Sequence, residues 1–295
     1  MFNKARELRT HLLMVLGLCL GLAACSKPKP EPAHPAMWEV TGAHGEHGWL
    51  FGTIHTLAHE AEWRSPVVSR ALDQADMLVL EIAAIDDEAA MRKVFDGLSH
   101  SAGLPPLAER VDPKLRPALA KLMQDNHVDA AQFADVETWA AALMLAGISE
   151  KKSDPGNGID RAIVEAKPEL PRRELEGTLS QLSIFDRLAE VDQREMLNST
   201  LRDNPGEANL AQLTQAWRKG NLDLIAREMR TGMMADPDVR KALFSDRNAV
   251  WNGKIEALLR EGKKPFVAVG AAHLAGPDAL PAIMTARGWK VTRVQ

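Results

Sequence analysis

The chain of 295 residues contains no tyrosine and only two cysteines, Cys19 and Cys25, both near its start. Downstream of residue 25 there is therefore no thiol to act as a nucleophile, form a disulfide or build a cysteine-based zinc site. No phenol is available as acid, base or nucleophile. Aromatics are few, seven tryptophans and seven phenylalanines, which limits the lining for a large flat ligand such as haem. There is no basic tract, and the formal charge is −4. Nothing points to nucleic acid.

A membrane-spanning run is missing too. The apolar stretch "HLLMVLGLCLGL" follows Lys4, Arg6 and Arg9 and falls short of the roughly 20 residues a spanning helix needs. It leads into Leu22-Ala23-Ala24-Cys25, which reads as a signal peptide over residues 1–24. Small residues before a cysteine resemble the lipobox of bacterial lipoproteins, in which Cys25 is lipidated and becomes the new N-terminus. Ser26, where an aspartate would resemble an inner-membrane retention signal, favours the outer membrane. The expectation is an outer-membrane lipoprotein facing the periplasm, touching the membrane through its lipid anchor. Loss of Lys4, Arg6, Arg9 and Glu7 with the leader moves the formal charge to −6. "KPKPEPAHPA" reads as a stiff proline-rich tether, so residues 25–36 are lipidated cysteine and tether. Residues 37–295 form the domain.

Within that domain "MWEVTG" and "HGWLFGT" flank a glycine-containing turn and predict a hairpin. "SPVVSRALDQA" has helical spacing with Ser65 as cap, and "MLVLEI" is a short apolar run typical of a buried strand. Amphipathic patterns dominate residues 87–260, interrupted by "PRRELEG" as a short strand. "PFVAVG", "GPDALPAIMTARG" and "WKVTRV" return to strand, helix, strand. The fold class expected is α/β (α+β), with a central mixed sheet, a crevice at its strand ends and a large, mostly helical middle segment.

Two short stretches stand out. "FGTIH" places His55 three residues after Gly52, and "VGAAH" places His273 three residues after Gly270, each behind an apolar strand. Parallel strands present ligand-facing groups at their carboxyl ends. Glu81 ends a third strand, "LVLE", and a carboxylate there needs a polar site or a cation. The two histidines and Glu81 suggest a metal or acid/base cluster if they meet; otherwise each histidine caps a strand end. His55 and His59 have H-x-x-x-H spacing, but no glutamate follows the first histidine and no helix cap precedes it. Arg247 and Asn248 sit in a helical pattern, where an arginine offers a fork of donors to a carboxylate or an oxyanion, or faces solvent. Glu176 is a strand-end carboxylate or a loop acid. His34, His44, His47, His100 and His127 are given no role.

"LFGTIH", "ADMLVLEI", "GNGIDRAIVEA", "LEGTLSQLSIFDRL", "AWRKGNLDLI", "DRNAVWNGKIEALL", "FVAVGAAHLAG" and "GWKVTRV" together resemble the TraB/GumN family over most of residues 38–295. That family is similar to Tiki proteases, proposed metal-dependent peptidases, and more distantly to erythromycin-esterase-like hydrolases and a haem-binding lipoprotein group. The resemblance implies that His55 and His273 are the motif histidines, Glu81 the acid after the second strand, Arg247 and Asn248 the "RN" block, and Glu176 the later acid. Two departures stand at Leu175-Glu176-Gly177, where a threonine is expected last, and at Gly270-Ala271-Ala272-His273, where a glycine often precedes the histidine. It follows as an expectation that the chain is an envelope-anchored hydrolase acting on a peptide or small molecule. His55, His273 and Glu81 would hold Mn²⁺, Co²⁺ or Zn²⁺, with Glu81 as ligand or general base, and Arg247 would stabilise an oxyanion. A metal-free version has a histidine as base. The alternative is a non-catalytic lipoprotein that binds haem or another small ligand. Replacing either motif histidine is expected to abolish activity with little effect on stability.

Overall fold

The computed structural model describes residues 29–149, 153–202 and 207–295. The leader and Cys25 lie outside the described residues. The body, Glu31–Gln295, is built on a six-stranded mixed sheet. Its strands in chain order are β2 (Met37–Thr41), β3 (His47–Thr53), β5 (Met77–Leu80), β6 (Arg172–Glu174), β7 (Pro265–Gly270) and β8 (Lys290–Arg293); β1 (Glu31–Pro32), ahead of them, and β4 (Ala61–Glu62), between β3 and β5, pair with each other as a separate two-stranded sheet. The spatial order is β6-β5-β7-β3-β2-β8.

The hairpin expected at the start is β2–β3, antiparallel, with Met37 opposite Phe51. The helix Pro66–Gln74 begins where the Ser65 hydroxyl accepts from the Val68 amide, and it carries the chain across to β5. β7, which comes late in the chain, inserts between β5 and β3 and is parallel to both. β6 is also parallel to β5. Four parallel strands thus end at one edge of the sheet, which makes that edge the natural place for a site.

Both faces of the sheet are covered, so its central strands read as unbroken apolar runs. On one face Phe51, Leu78, Leu80 and Phe266 pack against Leu72, Ile163 and Trp217. On the other, Leu50, Val79, Val267 and Val269 pack against Trp251, Ile255, Leu259 and Met284. The helical middle has a separate core around Phe133, Trp139, Leu145 and Leu197.

The start of the body differs from the free tether expected. Ala33 and Ala36 are buried. The His34 amide donates to the Arg218 carbonyl at 2.7 Å, Arg218 donates to the Glu31 carbonyl at 2.9 Å, and Gln295 donates to the Pro35 carbonyl at 2.8 Å. Residues 31–36 are part of the body. Their small alanines fit against the core where proline-rich composition alone suggested an extended spacer.

Candidate functional site

His55 follows β3 in a loop zipped to a second loop. Leu57 and Asp154 exchange backbone hydrogen bonds, and the Ile159 amide donates to the Ile54 carbonyl at 2.9 Å. Gly158 lies so close that a Cβ on it would come within 2.3 Å of the His55 carbonyl oxygen, so only glycine fits. This contact sets the start of the helix Ile159–Ala166, whose first turn carries Asp160. The Asp160 carboxylate accepts from His55 Nδ1 at 2.8 Å and from the Thr53 hydroxyl at 2.6 Å. Asp160 is buried, while the His55 ring is 56 % exposed. One imidazole nitrogen is thus fixed by a carboxylate, and Nε2 lies toward Gly270.

Glu81 follows β5 and is buried. Its Oε1 accepts from the Gly270 amide at 2.8 Å, and its Oε2 from Arg247 Nη2 at 3.0 Å and Gln181 Nε2 at 3.4 Å. A Cβ built on Gly270 would lie 3.4 Å from Glu81 Oε1 and 3.5 Å from His55 Nε2. The two side chains therefore border one small space, and Gly270 keeps it open. Gly270 has φ −49° and Gly52 is not among the positive-φ residues. The motif glycines are there for room rather than for a left-handed turn. At Gly52 the close neighbour is Ala271, 3.2 Å from where a Cβ would stand.

His273 sits in a single turn, Ala271–Leu274, after β7, and is 3 % exposed. Asn248 donates through Nδ2 to the Asp278 carbonyl at 2.8 Å, which turns its Oδ1 to accept from His273 Nδ1 at 2.7 Å. The other ring nitrogen, Nε2, accepts from Arg247 Nη1 at 3.2 Å. His273 is a neutral imidazole with both nitrogens used, packed against Trp251 and Phe244.

Arg247 joins these groups. Its Nε donates to Glu176 at 3.1 Å, its Nη1 to the Leu243 carbonyl at 2.9 Å and to His273, and its Nη2 to Glu81 and Glu176. Every guanidinium hydrogen has a partner, so Arg247 has no free donor for an oxyanion, contrary to the role expected of it. It is a positioning residue for Glu81 and His273. The solvent-facing alternative for Arg247 also fails, since its side chain is 10 % exposed. Glu176 is likewise 10 % exposed and ion-paired, not a free loop acid. At Gly177 the backbone has φ +83° and ψ 163°, a region essentially restricted to glycine; this accounts for glycine where threonine was expected.

The charges follow from these contacts. The Asp160 carboxylate raises the His55 pKa from 6.5 to about 9, against desolvation. Water around the exposed ring screens this pair. Burial brings His273 down to about 3, with Arg247 and His55 adding to the effect and Glu81 opposing it. Burial alone would raise Glu81, but His273, His55, Arg247 and the Gly270 amide outweigh it and lower the value to about 2. With His273 neutral, Arg247 and protonated His55 are the cations that hold Glu81 ionised at neutral pH.

The sheet edge thus gathers His55, Glu81, Glu176, Arg247, Asn248 and His273. It leaves out His59, which is exposed in a segment that is not helical. Asp160, Thr53 and Gln181 were missed. Asp160 was detectable: it lies in register with the buried Ile163 and Val164 on one helix face, and an acid on an apolar stripe needs a partner.

A model of the TraB/PrgY/gumN family matches residues 36–293. The chain belongs to the TraB/PrgY/gumN family. Searches of curated proteins and of solved structures found no match. In this TraB/PrgY/gumN chain the match begins at Ala36, within the packed N-terminal segment, and takes in every strand from β2 to β8 and all the site residues named above.

Proposed function

We propose that the chain is a hydrolase that cleaves a peptide bond at His55, and that it works in the cell envelope, held by a lipid on Cys25. The observation that carries the hydrolase reading is the space against Gly270, bordered by His55 Nε2 and Glu81 Oε1. A water there meets a basic nitrogen on one side and a fixed carboxylate on the other. His55 Nε2 takes a proton from the water as its oxygen bonds to the scissile carbonyl carbon. Asp160 stabilises the imidazolium that forms, as in other carboxylate–histidine pairs. The carbon–nitrogen bond then breaks, and His55 returns the proton to the leaving amine. Gln181, which lines the same cavity, has a second amide hydrogen to offer the developing oxyanion.

The divalent cation implied by the resemblance does not fit the donor set as arranged. His273 Nε2 is occupied by Arg247, and the guanidinium already fills the cation position between Glu81, Glu176 and His273. Among the described residues no group of three or more histidine, cysteine or acidic side chains is arranged to hold a metal. For a metal-dependent peptidase, Arg247 would have to withdraw from His273 and Glu81. For the haem-binding alternative, the cavity beside His55 has a volume of about 230 Å³, below the roughly 300–1,000 Å³ of pockets that take drug-sized ligands. It suits one side chain better than a macrocycle.

Incubation of the protein with a peptide library, with products read by mass spectrometry, tests the proposal. Cleavage is expected from wild type and lost by at least a hundredfold in His55→Ala, with a chelator changing the rate less than twofold. Cleavage abolished by chelator and restored by Mn²⁺, Co²⁺ or Zn²⁺ would support the metal-dependent reading instead. Equal cleavage by His55→Ala would end the assignment of the site.

A further inference from the structure

The cavity beside His55 has walls that the hydrolytic step does not use. Leu80, Ile82, Ile85, Met91 and Pro155 form its apolar side, and Arg161 stands among them. Ile82, Ile85 and Met91 are half-buried, so they have apolar surface left for a ligand to cover. The helix Glu88–Leu98 that supplies Met91 has no fully buried residue.

The cavity's charges are unequal in their commitments. Buried Arg247 is shared between Glu81 and Glu176, and His55 is held by Asp160. Among the described residues Arg161 is ion-paired with Glu88 alone, at 3.1 Å, and Glu88 is 76 % exposed. Water around the Glu88 carboxylate screens this pair, so Arg161 can exchange Glu88 for another carboxylate at little cost. A carboxylate matches the planar fork of an arginine, which can hold both of its oxygens through two parallel hydrogen bonds. The cavity therefore offers apolar contact together with one readily released guanidinium, beside His55.

We infer that this cavity takes the C-terminal residue of a peptide, its apolar side chain against Ile82, Ile85 and Met91 and its free carboxylate on Arg161. This rests on the hydrolase reading above and narrows the substrate to peptides with an apolar C-terminal residue, cut close to that end. The volume of about 230 Å³ accommodates one such residue rather than a folded segment.

Binding can be measured apart from hydrolysis with small probes that contain no peptide bond to cleave: 4-methylpentanoate, its primary amide 4-methylpentanamide, and acetate, followed by ligand-observed NMR on the full chain. The acid is expected to bind at least tenfold more tightly than either the amide or acetate. Arg161→Gln should abolish the preference for acid over amide, and Met91→Trp should weaken both by filling the apolar wall; melting curves check that both variants fold. Equal binding of acid and amide by wild type, an unchanged preference in Arg161→Gln, or no binding of any probe would overturn the inference. Probe binding without cleavage of any peptide would leave this pocket standing while the hydrolase reading fell. Cleavage indifferent to the C-terminal residue would do the reverse.

Discussion

The two motif histidines look alike in sequence and do different work. His55 is exposed, with one nitrogen fixed by Asp160 and the other free. His273 is buried, with both nitrogens bonded and aromatic rings on either side. The expectation that either could be replaced without loss of stability therefore splits. His55→Ala should cost less than His273→Ala, because its ring lies largely in water; what it does cost comes from leaving the buried Asp160 carboxylate without its imidazole partner. His273→Ala should cost about 3 kcal/mol, since it opens a cavity and leaves a buried Arg247 donor and the Asn248 Oδ1 acceptor without partners. Thermal and denaturant unfolding of the two variants check this; equal losses would mean that His55 is also a structural strand cap.

The elements place these residues through close packing of loops at the strand ends. Gly158 is fixed by the His55 carbonyl and Gly177 by its backbone angles, whereas Gly270 tolerates a methyl group in its fold. At Gly270 an added Cβ meets its neighbours at ordinary contact distance and the backbone angles suit alanine. Gly270→Ala should change stability by less than about 1 kcal/mol while filling the space between His55 and Glu81, so hydrolysis should fall sharply with folding intact. Wild-type rates in that variant would show that the reacting water sits elsewhere. Much of the element order was legible in sequence. The β2–β3 hairpin, β5 and β7 coincide with short apolar runs, β6 and β8 with short segments next to proline or glycine, and the Ser65 cap marks its helix. The insertion of β7 between β5 and β3 was not legible, because strand order depends on contacts between residues far apart in sequence. That insertion is what brings Gly270 and His273 beside His55.

At the scale of the whole molecule the site is a network that shares charge. Asp160 could be singled out as an acid on an apolar helix face, but its pairing with His55 was not legible, because it exists only once two distant loops zip together. Arg247 was read as an oxyanion donor because composition cannot show that its hydrogens are already spent on Glu81, Glu176, His273 and Leu243. The network also sets how the molecule responds to pH. His273 cannot take up a proton until far below 6.5, so the unfolded chain binds protons that the native state refuses and stability declines as pH falls through that range. His55 has the opposite sign: its raised value contributes stability fully present below 6.5 and lost as pH rises through about 9.

The same shift governs catalysis, because His55 must lose its proton before it can act as a base. The most direct measurement is the pH dependence of kcat/KM for peptide cleavage in wild type and Asp160→Asn. In wild type the rate should rise with pH along a limb that lies above 6.5, toward about 9. In Asp160→Asn, with the carboxylate charge gone, the limb should move down toward the ordinary imidazole value and the maximum rate should fall. A limb that stays in place in Asp160→Asn, or a rate that falls as pH rises through this range, would contradict a base made of His55 and Asp160.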